Sequence, residues 1–207
     1  DNTAIGYQAL ESNESGNSNT ANGYAALKSN ESGSFNTANG RTALYSNTIG
    51  ALNTANGSFA LFSNESGSYN TANGTYALEN STGNGNIGLG YQSGDNLTAG
   101  NNNIFIGYDI DAPIATGSNQ MSIGNLIYAT GVDGTGTTVS SGNVGIGTTS
   151  PDVKLDVAGA VKTSRLGTYG TYLFTEVQGI WSISEGFTIN EINDDFGTQY
   201  EIGRAHV

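Results

Sequence analysis

The chain predicts an all-β fold made by stacking short repeats, and three observations carry that prediction. The phrase Asn-Thr-Ala-x-Gly recurs every 17 residues and ends at Gly6, Gly23, Gly40, Gly57 and Gly74. An Ala-Leu pair follows at a fixed offset, in Ala9-Leu10, Ala26-Leu27, Ala43-Leu44, Ala60-Leu61 and Ala77-Leu78. Glycine supplies 31 of 207 residues. At least two per unit would cost a helix about 1 kcal/mol each, and the Ser, Asn and Thr content opposes a helix further. A unit this short cannot bury a core alone, so it must stack on its neighbours.

Each unit reads as strand, turn, strand, turn. Asn-Thr-Ala-x is the first strand, the glycine opens a turn, Ala-Leu lies in the second strand, and Ser-Asn-Glu-Ser-Gly or a variant closes the unit. The series continues past Leu78 in looser form. Asn86-Ile87-Gly88-Leu89-Gly90 restarts it 16 residues after Asn70, and Asn103 to Gly107 and Gln120 to Gly124 follow at 17-residue steps. Eight rungs at the spacing of β-strands make a rod of about 35–40 Å. Asn22, Asn39, Asn56 and Asn73 stand in one column, where they either hydrogen-bond from rung to rung or supply left-handed turns beside glycine. From Gly90 onward, Leu or Ile replaces the Asn before the glycine, which predicts a rod more apolar inside towards its C-terminal end; Gly6, preceded by Ile5, already has the later form.

Composition bounds the function. Six Lys plus Arg against 18 acids, a net charge of -12, give no footprint for a nucleic-acid backbone and suit a soluble extended assembly. Cysteine is absent, so neither disulfides nor thiolate metal sites are available. No apolar run of about 18 residues spans a membrane. The chain begins at Asp1 in mid-repeat, which reads as a cut end.

The phrase ending Ile-Gly, at Asn2 to Gly6, Asn103 to Gly107 and Asn143 to Gly147, resembles the head repeats of trimeric autotransporter adhesins and of bacteriophage tail-fibre proteins. The resemblance implies a left-handed parallel β-roll, assembled as a homotrimer on a virion tail or bacterial cell surface, that attaches to a cell-surface glycan or protein. The 17-residue spacing is longer than the usual adhesin repeat, which favours the phage-like branch. Asn143 to Pro151 followed by Lys154 to Val161 resembles the linker of tail fibres that end in an intramolecular chaperone domain, itself absent from this chain. By that resemblance Gly145, Gly147, Pro151, Leu155 and Val157 belong to a collar; the ordinary alternative is a hairpin linker.

The expected organisation is therefore a head at 1–131, a collar at 132–165, a partial β module at 166–200 and a non-native tail at 201–207. The tail, Glu201 to Val207, can be encoded by a sequencing adapter read in frame, which marks the chain as an environmental fragment. Trimerisation also has a physical argument. A roll of Ala, Gly and Asn buries little apolar area at about 25 cal/mol per Å² and leaves faces to cover.

No cofactor, metal or catalytic residue is assigned. The one histidine, His206, lies in the suspect tail, and Glu14, Glu31 and Glu65 repeat along a solvated edge instead of pairing in a pocket. Asp194-Asp195 is an acidic turn before it is a calcium site. Gly88-Leu89-Gly90 lacks the helix and lysine of a phosphate loop. Asn-x-Ser/Thr sequons, as at Asn30 and Asn64, arise from composition. The rival to attachment is ice binding through the column Thr3, Thr20, Thr37, Thr54 and Thr71. Tyr7, Tyr24, Tyr91 and Tyr108, each following a glycine, either stack on sugars or fill a groove between protomers.

Overall fold

The computed structural model describes residues 1–159, and within them the chain is an all-β solenoid of about seven turns without a helix. Eight parallel strands of three residues stack in chain order: β1 (Thr3–Ile5), β2 (Thr20–Asn22), β3 (Thr37–Asn39), β4 (Thr54–Asn56), β5 (Thr71–Asn73), β6 (Ile87–Leu89), β7 (Ile104–Ile106) and β8 (Met121–Ile123). Register is like on like, so Thr37 faces Thr54 and Ala38 faces Ala55. A short return then places β9 (Ile127–Ala129) antiparallel to β8 and to β10 (Val144–Ile146), and β11 (Leu155–Val157) lies parallel to β10. Among the described residues eleven strands form one sheet. The collar expectation at Gly145 and Leu155 thus falls on strands that extend the sheet, with Pro151 buried between them. The expected module at 166–200, the Asp194-Asp195 turn and the 201–207 tail lie outside the described residues.

Numbering each unit from its Asn, so that Asn19 is first and Phe35 is seventeenth, the strand holds positions two to four. The Ala at position three points inward and is fully buried in Ala21, Ala38, Ala55 and Ala72. The Ala-Leu pair completes the core. It is not a second strand, which corrects the strand-turn-strand-turn expectation. Positions seven and nine both take left-handed backbone, as in Ala25 (φ 52°) and Leu27 (φ 50°) or Phe59 (φ 61°) and Leu61 (φ 52°), so the segment turns continuously. That conformation costs an L-residue about 1–2 kcal/mol. For the leucines, full burial of the side chain returns about 1.5–3 kcal/mol.

Two polar ladders run inside the coil. At position one, Oδ1 of Asn36 accepts the backbone N–H of Asn53 at 3.0 Å while its Nδ2 donates to the Gly50 carbonyl at 2.8 Å, and the same pair of bonds repeats from Asn2 to Asn103. At position twelve, Asn30, Asn47 and Asn64 each donate Nδ2 to Oδ1 of the previous rung. Buried amides with partners of this kind hold a narrow core that aliphatic side chains alone could not fill without orphaning backbone groups.

Glycine is required where rungs touch. A Cβ on Gly57 (φ 141°) would lie 2.4 Å from the Gly74 carbonyl oxygen, and one on Gly67 would lie 2.3 Å from that of Gly83. Further on, the core repacks by exchange between rungs. Phe105 takes the place of the small inward residue and is fully buried, and Gly94 stands in the leucine column, where a Cβ would meet Phe105 Cδ2 at 2.4 Å.

Candidate functional site

A strand as short as Ile104–Ile106 alternates its side chains, and here the middle residue faces the core while its neighbours face out. Positions two and four therefore form two outward columns side by side on one flat sheet face. On β2 to β5 those columns hold Thr and Asn. From β6 they hold Ile87 and Leu89, Ile104 and Ile106, Met121 and Ile123, and the pairing of β9 to β11 continues them through Ala129 and Ile127, Val144 and Ile146, Leu155 and Val157. Six successive strands carry only aliphatic side chains and methionine at these register positions, mostly half-buried, with Ala129 buried and Leu155 exposed. This corrects the expectation that the Leu or Ile before each later glycine lines the inside of the rod. Leu89 and Ile106 point out, and the inward residues of their strands are Gly88 and Phe105.

The column of Asn22, Asn39, Asn56 and Asn73 lies on the same outward face. Asn39 donates to Asn56, and Asn56 to Asn73, each at 2.8 Å, while Asn22 takes no part in the bonded run. The more extensive ladders at positions one and twelve were missed from sequence. Their signal was persistence, since Asn remains at position one in Asn86 and Asn103 after position four has become Leu or Ile.

The glycines Gly6, Gly23, Gly40, Gly57, Gly74, Gly90 and Gly107 all take extended positive φ at the end of their strands, whereas Gly124 (φ 58°) sits in the β8–β9 turn with no neighbour within 4 Å of its missing Cβ. Beside them runs an aromatic ladder. Tyr7 stacks on Tyr24 (5.5 Å between centroids), Arg41 lies between Tyr24 (6.0 Å) and Phe59 (5.3 Å), Phe59 stacks on Tyr76 (5.0 Å), and Tyr91 stacks on Tyr108 (5.2 Å). These spacings follow the rung spacing of about 4.8 Å. Within the stacked pairs the ring faces meet one another, so a sugar lying along a pair would meet edges and hydroxyl groups, while Tyr7 and Tyr108 at the two ends stay largely exposed.

Over the first five rungs the outward columns of the sheet face carry no ionisable side chain. Glu14, Glu31 and Glu65 are exposed on the turn at position thirteen, and Glu11 pairs with Lys28 at 3.5 Å. Glu79 and Asp95 are raised above the ordinary carboxylate range, in both cases first by desolvation; the charge of Asp95 adds to the shift at Glu79, and that of Asp111 to the shift at Asp95. Asp133 is lowered by hydrogen bonds from the Ser141 hydroxyl (2.6 Å) and backbone (2.7 Å). Two shallow cavities lie near the C-terminal rungs. One of about 300 Å³ is lined by Ile87, Ile104 and Asp133, and one of about 220 Å³ by Pro113, Gln120 and Thr149. Among the described residues no group of three or more His, Cys, Asp or Glu is placed to hold a metal ion, and no helix is long and apolar enough to cross a membrane. Asn30 and Asn64, both in sequons, are fully buried in a ladder.

No family model, no curated protein and no solved structure matches this chain.

Proposed function

We propose that the chain is a non-enzymatic, self-associating fibre segment, a homotrimer of left-handed rolls joined at a collar spanning 132–165, that attaches a phage tail or a bacterial surface to a glycan or protein on another cell. The observation that carries this reading is the aliphatic double column on β6 to β11. A contiguous aliphatic run that is only half-buried in the single chain is what an association interface presents. Parallel copies with the same rung spacing can bring these columns together at a common axis, so the apolar area missing from a core of Ala, Gly and Asn would come from association. Sedimentation velocity on the full chain at micromolar concentration tests it. A single species of three chains is expected, and a monodisperse monomer overturns the fibre reading.

A second reading has its own observation. Thr20, Thr37, Thr54 and Thr71 are paired in register on the outward face, forming a regular array of hydroxyl and methyl groups suited to ice. Thermal hysteresis separates the two readings, because a fibre segment shows none and an ice binder shapes crystals at micromolar concentration.

A further inference from the structure

Phe35, Leu52 and Tyr69 break two rules at once. They occupy position seventeen on successive rungs with left-handed backbone (φ 60°, 59° and 63°), and they are 59%, 46% and 67% exposed. At position nine the same backbone strain is offset by burial of leucine; here neither solvation nor conformation favours a large apolar residue. Later rungs show what the backbone prefers at this place, since Gly85, Asn102 and Asn119 hold the equivalent position with φ of 67°, 55° and 59°. From Phe35 onward the change goes with the strand that follows: after Phe35, Leu52 and Tyr69 the outward columns are Thr and Asn, and after Gly85, Asn102 and Asn119 they are aliphatic or Met, whereas Ser18 (φ 56°) precedes a Thr and Asn strand at the first rung.

From this exchange we infer that the stripe Phe35, Leu52 and Tyr69 is the seam on which a second, parallel copy of the chain docks along the N-terminal rungs. The inference rests on the proposed self-association and specifies where it occurs when the sheet face is polar. Two further observations select a second copy as the occupant. Backbone bonds from Phe35 to Asn17 (2.9 Å), Leu52 to Ser34 (3.0 Å) and Tyr69 to Ala51 (3.1 Å) fix the side chains one rung apart, a spacing that a rod of the same repeat matches side chain for side chain. The segments 15–20, 32–37, 49–54 and 66–71 contain no Asp, Glu, Lys or Arg, although the chain carries a net charge of -12. A copy with the same charge meets no repulsion at this place, whereas it would at the turns bearing Glu31 and Glu65.

Replacing the three residues together (F35N, L52N and Y69N) in the full chain tests the seam, because Asn already occupies this position at Asn102 and Asn119. The expected result is unchanged circular dichroism and a dissociation constant for self-association at least tenfold higher by sedimentation. Native association with an unchanged constant in the triple variant overturns the seam and leaves the fibre reading standing; a native chain that stays monomeric overturns the fibre reading itself. A second measurement uses the absence of cysteine. In single variants L52C and E31C, association is expected to slow alkylation of Cys at 52 at least tenfold and to leave that at 31 unchanged. Equal protection at the two sites, or none at 52 in an associated sample, overturns the seam.

Discussion

Oδ1 of Asn53 accepts the backbone N–H of Asn70 at 2.9 Å while Nδ2 of the same amide donates to the Gly67 carbonyl at 2.8 Å. One buried side chain thus satisfies two backbone groups that the coil cannot pair by itself. Asn53→Ala would leave the Asn70 N–H orphaned at a cost of about 1–3 kcal/mol, while the Gly67 carbonyl keeps the Asn64 Nδ2 at 3.0 Å. The expected outcome is a loss of stability in that range or above in chemical denaturation, with faster amide exchange at Asn70 than at Asn36. A variant as stable as the native chain would show that water replaces the amide.

Gly57 and Gly124 both have positive φ, yet only one of them is crowded. Gly57→Ala puts a methyl 2.4 Å from the Gly74 carbonyl oxygen, while Gly124→Ala meets nothing within 4 Å. We expect G57A to destabilise by more than about 2 kcal/mol and G124A by about 1–2 kcal/mol, the latter from backbone strain alone. Thermal unfolding of the two variants side by side checks the order.

Phe105 and Gly94 form a compensating pair across adjacent rungs. Phe105→Ala should cost about 3–5 kcal/mol by opening a cavity, and Gly94→Leu should be destabilising because its Cβ alone would meet Phe105 at 2.4 Å. Combined, they should cost at least about 1 kcal/mol less than the sum of the two single changes. A double-mutant cycle with purely additive losses would show that the two rungs pack independently.

Glu79 and Asp95 predict an unusual pH response. Their folded pKa values lie above the ordinary 4.5 and 3.8, so the folded state holds these protons more tightly than the unfolded one. Their contribution to stability is fully present below the unfolded values and is lost as pH rises through the folded ones. Asp133 opposes this, since its lowered pKa makes its bonds to Ser141 stabilising above the unfolded value and lost as pH falls through the folded one. Asp95→Asn is expected to raise the unfolding midpoint at pH 7 and to leave it unchanged below about pH 3, where both carboxyls are neutral. A fall at pH 7 would show that the Asp95 bond to Gln92 outweighs its desolvation.

The sequence by itself determined the period, the all-β class and the parallel stacking, because Asn, Ala, Gly and Leu columns that repeat letter for letter leave no other way to bury a unit of 17 residues. It also marked the change of character after Gly74, though not its direction. Whether Leu89 and Ile106 face the core or the solvent depends on where the glycine bend sends the chain, and a three-residue strand is too short for its alternation to be read. Only the tertiary structure showed that the Ala-Leu segment turns through left-handed residues, that position one carries the main amide ladder, and that Phe35, Leu52 and Tyr69 stand exposed in one line. Each of these depends on contacts with the rung above or below, and a residue's own neighbours in sequence do not specify them.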